Sequence, residues 1–210
     1  TLKEKMRSRF FSLLEIVILF VLPVILIHFG FIPFEQRGLV LYAVSALIDA
    51  KIFKENWTLK KLGIRIDNFK ESVIPYVIFT IVASLGLWLL AKLLGRSPLK
   101  NPLQYTHFQY MFLIVSFLQE LTFRGFLVPK LKAINKNLIF VIGINAVLFS
   151  VIHLLFPDPL VLLPLGLIGG IGFAGIYYFY PNLILISMSH AILNFVAVIF
   201  CFFSVNQSCV

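Results

Sequence analysis

A chain of 210 residues that is 60% apolar, holds 23 Phe and has only 13% charged residues lies far from the soluble globular norm of roughly 45–50% apolar and about 25% charged. Composition excludes an ordinary soluble domain and points to a polytopic membrane protein. The net charge of +9 does not indicate nucleic acid, because the basic residues sit between apolar runs rather than in one patch with interleaved aromatics.

The expected fold is an all-α membrane bundle of about seven transmembrane helices plus interfacial segments, with residues 1–210 as a single integral domain. The ten-residue alternation of barrel strands is missing. In chain order the apolar segments run roughly over 11–30, 36–53, 72–94, 108–128, 138–156, 160–179 and 182–204, each near the roughly 20 residues that span about 30 Å of hydrocarbon. The first is too long for a signal-peptide core and reads as a retained helix. Between the second and third, residues 51–71 are polar and basic and are expected to lie along the membrane interface. The 128–137 stretch is also short and basic, with Pro129 expected to break the preceding helix and Asn135 or Asn137 to cap the next.

The last three segments are joined by short connections, FPDP and YP, which imply antiparallel neighbours. Gly166, Gly169, Gly170, Gly172 and Gly175 give one helix a small-residue face for close contact. Of the 18 Lys and Arg, all but Arg37, Lys92, Arg96 and Lys100 fall on the same side as the N-terminus, so the positive-inside rule predicts a cytoplasmic N-terminus. Cys201 and Cys209 lack redox or zinc spacing and receive no role.

From Ser72 onward the only acids are Glu120 and Asp158. A charge at bilayer depth costs about 2.5–3.5 kcal/mol on insertion scales, so such groups tend to mark reaction centres or substrate paths. Glu120 and Arg124 are i,i+4 and share a helical face. Phe149 and His153 have the same spacing, with Phe149 expected to wall a pocket beside the imidazole, and His190 and Asn194 form a third such pair. Two uses fit this set. A carboxylate and an imidazole could activate water for attack on a peptide carbonyl while the other His and the Asn stabilise the oxyanion. Alternatively Glu120, His153 and His190 could bind Zn²⁺ without an HExxH motif, so the ligands would converge from separate helices. Spacing leaves both open.

Straight helices would put His153 and His190 at roughly 22 and 12 Å from the inner face. Convergence therefore expects the 129–137 segment to dip into the bilayer or a helix to be broken. Asp49 reads as structural, and His28, His107 and Asp158 as solvated near outer ends.

The order Q-E-x-x-x-R (Gln119, Glu120, Arg124), F-x-x-x-H (Phe149, His153) and H-x-x-x-N (His190, Asn194) resembles the CAAX protease and bacteriocin-processing family, also called CPBP or Abi, which includes the Ras-converting prenyl endopeptidases. The resemblance covers Gln119 to Asn194, with a catalytic-motif core of about 108–204 and FRGFL around Phe123 adding to it. It implies an intramembrane endopeptidase acting on peptide or prenylated peptide substrates within a lipid bilayer, with no cofactor required on the glutamate-protease reading. Carried over, Gln119 and His153 take the water-activating positions, His190 and Asn194 the oxyanion positions, and Glu120 with Arg124 completes the first motif. The short loops resemble a prokaryotic member in a plasma membrane.

One position departs from that pattern. Gln119 stands where the family has the first Glu of an E-E pair, and a carboxamide cannot take a proton near neutral pH. Three explanations stay open: a disabling Glu→Gln replacement, a natural inactive partner or immunity protein that binds peptides or sensor kinases, or Glu120 acting as the base.

Overall fold

The computed structural model describes residues 2–99, 106–156 and 158–203. They form nine α-helices and no strand: α1 (Leu2–Ile16), α2 (Leu22–His28), α3 (Arg37–Lys54), α4 (Phe69–Leu93), α5 (Thr106–Glu120), α6 (Val128–Ile134), α7 (Leu138–Val151), α8 (Pro159–Phe179) and α9 (Leu183–Ile199). Each of the seven apolar segments falls on a helix. Five stretches are long and apolar enough to cross a membrane: Arg9–His28, Phe69–Leu93, Phe112–Ile134, Leu138–Leu155 and Pro159–Phe179. Among the described residues five therefore meet that length and composition, and the expected count of seven is not confirmed. Arg37, Asp49, Lys51 and Lys54 load α3 with charge, and α9 is shorter.

Pro129 does not break its helix. The chain runs from α5 through a π-helical turn, Leu121–Leu127, directly into α6. A proline lacks an N–H and clashes with the carbonyl four residues back. That carbonyl belongs to Gly125, inside the π turn, where the backbone is wound more widely. The same arrangement recurs at Pro23, whose i−4 residue Leu19 lies in the π turn Val17–Val21 between α1 and α2. The two widened turns meet, with the Phe20 and Phe123 rings 5.1 Å apart edge to face.

Beyond α6, the Asn137 side chain accepts from the Phe140 N–H at 3.1 Å and caps α7 as expected. α7 and α8 pack side by side along their length. A Cβ at Gly170 would lie 2.8 Å from the Ala146 Cα, and one at Gly166 2.6 Å from His153 Nδ1, so the small-residue face is used at these positions. Gly172 lies against Phe79 of α4, whereas Gly169 meets nothing. After the YP turn, α9 leaves α8 and packs chiefly along α5 and α4, so the short connection there does not make sequence neighbours into packing partners.

The connection from α3 to α4 is a run of turns folded onto one end of the bundle. Trp57 stacks on Phe126 at 5.5 Å, Tyr177 donates to the Leu62 carbonyl at 2.9 Å, and Leu183 N–H donates to Gly63 O at 2.7 Å. Gly63 has φ +76°, a left-handed conformation that favours glycine, and the Tyr177 ring fills the space a Cβ would need. Lys51 bridges Glu15 and Glu55 at 2.7 and 3.1 Å, and Lys130 reaches the same two acids at 3.4 and 3.3 Å. At the other end Arg96 pairs with Asp158 at 2.7 Å and donates to the Cys201 carbonyl. Asp158, expected to be merely solvated, thus ties α4 to the start of α8. His28 is exposed, as is Asp49. The side chain of His107 and all of Cys209 lie outside the described residues.

Candidate active site

The site is built where α5 and α9 run antiparallel. Residues 116 and 120 on α5 are i,i+4, as are 190 and 194 on α9, so two polar rungs form one turn apart. On the first, His190 Nδ1 lies 2.6 Å from Glu120 Oε1. On the second, Asn194 Nδ2 donates to Ser116 Oγ at 3.1 Å. Arg124, carried by the π turn, returns along the helix and donates from Nη1 to the same Glu120 oxygen at 3.0 Å. Both Glu120 and Arg124 are 0% exposed.

This triad is not fully bonded. Among the described residues, Glu120 Oε2 and Arg124 Nε and Nη2 are buried and have no hydrogen-bond partner. Unpaired buried polar groups are expensive, more so when charged, and buried native groups are usually paired with protein or water. An acceptor on the carboxylate and two donors on one edge of the guanidinium are therefore available to a water or a polar substrate group.

Aromatic rings close the site. The Arg124 guanidinium lies 4.5 Å from the Phe149 centroid and 5.2 Å from that of Phe173, within cation–π range. Phe149 stands between the imidazoles, 5.6 Å from His190 and 5.3 Å from His153. It also meets Phe123 edge to face at 5.4 Å. Phe149 and Phe123 are both buried.

His153 sits where α7 tightens into a 3₁₀ turn, Ile152–Leu155, so the helix does change winding at this residue. It remains one aromatic ring away from the triad. Its Nδ1 lies 3.0 Å from the Phe149 carbonyl. A carbonyl can only accept, so Nδ1 carries the proton, and in the neutral ring Nε2 presents the lone pair.

The sequence set is therefore brought together unevenly. Glu120, Arg124 and His190 touch directly, Asn194 lies one turn along the same interface, and His153 joins through Phe149. Gln119 is half-buried and makes no side-chain hydrogen bond among the described residues. No group of three His, Cys, Asp or Glu gathers as a metal site among the described residues.

Two polar residues escaped the sequence reading. Ser116 was detectable as the residue four before Glu120. Asn145, fully buried in α7, donates to the Phe123 carbonyl at 2.6 Å. Its signal was a lone carboxamide in an apolar run, four residues before Phe149 and eight before His153.

Residues 101–196, which contain the whole of this constellation, match the model of the Rce1-like family, described as type II CAAX prenyl endopeptidase Rce1-like. The match agrees with the family that the three motifs resemble, and points to a protease. No curated protein and no solved structure matches the chain.

Proposed function

We propose that the chain is an intramembrane endopeptidase of the CAAX-protease type that hydrolyses peptide or lipidated-peptide substrates. The observation that carries this reading is the buried Glu120–His190–Arg124 triad, whose Glu120 Oε2 and Arg124 Nε and Nη2 have no partner among the described residues. These atoms are complementary to a peptide group: a guanidinium edge for its carbonyl, a carboxylate oxygen for its N–H.

In the hydrolysis, His153 Nε2 takes a proton from water, and the water oxygen attacks the scissile carbonyl carbon. The carbonyl oxygen becomes an oxyanion that receives hydrogen bonds from His190 Nε2–H and from the second Nδ2 hydrogen of Asn194. Glu120 holds the His190 ring through Nδ1. Collapse of the intermediate breaks the C–N bond, and the proton on His153 passes to the leaving amine. Gln119 orients the water but cannot accept its proton. We further place the chain in a cytoplasmic membrane with its N-terminus inside, on the distribution of Lys and Arg.

A second reading is favoured by Gln119 itself: a non-proteolytic membrane partner that binds peptides at the same triad. The two are separated by cleavage of fluorogenic prenylated and unprenylated peptides by the reconstituted chain beside its Gln119→Glu variant. Cleavage by the variant alone supports a glutamate-dependent protease. Cleavage by both supports His153 as sufficient base. Cleavage by neither, with peptide binding retained, overturns the protease reading in favour of the binding one.

A further inference from the structure

We propose that Asn145 is the positioning residue of the site, holding in its widened form the π turn that carries Arg124 back to Glu120. The proposal rests on the protease reading only for its effect on turnover.

α7 lies within one of the most apolar stretches of the chain, and Asn145 is 0% exposed there. Burying a carboxamide is unfavourable unless its hydrogen bonds are made, and a leucine of similar volume would fill the space without that desolvation. The donor end of Asn145 is used, on Phe123 O at 2.6 Å; the acceptor end, Oδ1, has no partner among the described residues. The packing therefore uses Asn145 for its donor.

That donor lands in the middle of Leu121–Leu127, on the carbonyl of the peptide unit from which Arg124 leaves. π turns occupy well under 1% of residues and concentrate at functional sites. An α-helical rewinding would rotate Arg124 relative to Glu120, so a contact from outside the helix that fixes the 123–124 peptide plane fixes the triad with it. The contact starts from a firm base, because Ala146, the next residue of α7, lies against Gly170 of α8 with no room for a Cβ. One turn on, Phe149 touches Phe123, Arg124 and both imidazoles. The stripe Asn145–Phe149–His153 thus addresses the π turn, the triad and the second imidazole in order.

The experiment compares Asn145→Leu and Asn145→Met, which keep the number of side-chain heavy atoms but lose the donor, with the present chain in two measurements that need no turnover. Hydrogen exchange of residues 121–127 should rise about tenfold, the scale of one lost hydrogen bond. The ¹⁵N resonances of His190 should shift while those of exposed His28 stay in place. Unchanged exchange and an unmoved His190 signal in either folded variant overturn the proposal. Should both variants fail to fold, Asn145→Ser, which keeps a donor in a smaller side chain, must give His190 signals nearer the present chain than Asn145→Ala does; equal shifts overturn it. In a Gln119→Glu background that cleaves peptide, the Leu variant should lower kcat about tenfold with KM changed less than about twofold. Altered exchange and His190 signals without cleavage in any background would sink the protease reading and leave the positioning role standing.

Discussion

His190 Nδ1 and Glu120 Oε1 lie 2.6 Å apart across the α5–α9 interface, and the same oxygen accepts from Arg124 at 3.0 Å. A single carboxylate oxygen thereby joins the first and last of the three sequence motifs, which stand 70 residues apart. The pair also sets what can be removed without loss of the fold.

Removing one partner of a buried ion pair leaves the other charge uncompensated and costs about 3–5 kcal/mol, whereas replacing both with apolar groups is often neutral. Glu120→Ala should destabilise the purified protein by that amount, because Arg124 is 0% exposed. Glu120→Ala with Arg124→Leu should recover most of it. Unfolding in denaturant of the two single variants and the double variant measures the coupling. Additive losses would show that Glu120 and Arg124 do not stabilise each other.

The glycines of α8 make opposite predictions one residue apart. A side chain at Gly170 meets the Ala146 backbone, 2.8 Å from its Cα, and backbone cannot move aside as a flexible side chain can. Gly170→Val should therefore cost about 1–3 kcal/mol through overpacking. Gly169 meets nothing within 4 Å, so Gly169→Ala should stabilise by about 0.4–1 kcal/mol through the unfolded chain. Thermal unfolding of the two variants checks the pair of signs.

Much of this arrangement was legible because i,i+4 spacing is a local property. Glu120–Arg124, Phe149–His153 and His190–Asn194 each emerged as a face before any helix was placed. What was not legible came from outside the helix concerned. Pro129 reads as a breaker because the π turn that accommodates its missing N–H depends on the backbone around Gly125. α9 was expected beside α8, but packs along α4 and α5 because His190 and Asn194 find their partners on α5. Asp158 found Arg96 across 62 residues, a pairing no local pattern encodes. Convergence of the histidines was expected to need a dip of the 129–137 segment or a broken helix; Phe149 connects them as a ring between two rings.

Asp67 offers a pH test away from the membrane-spanning segments. The Arg65 guanidinium donates to both of its oxygens, at 2.7 and 2.6 Å, and this bond holds the carboxyl well below the ordinary carboxylate range. A depressed folded value means that the contribution to stability is present above the unfolded pKa of about 3.9 and is lost as pH falls further. Amide exchange across residues 59–68, corrected for intrinsic rates, should rise as pH is lowered below about 4. Asp67→Asn should show faster exchange with no such step. A step of equal size in that variant would assign the titration to another group.

The Ser116–Asn194 rung gives a test of the hydrolytic reading itself. If Asn194 donates to the oxyanion, then Asn194→Ala in a cleaving Gln119→Glu background should lower kcat by about 10²–10³, the usual effect of losing one such donor. Ser116 only accepts from Asn194, at 3.1 Å, so Ser116→Ala leaves the carboxamide in place but free to turn. Its loss should be smaller and should fall on kcat with KM nearly unchanged, since an interaction made only in the transition state is what is misaligned. Single-turnover cleavage separates this from slowed product release. Equal losses in KM alone for both variants would make the rung a substrate-binding feature and remove Asn194 from the oxyanion site.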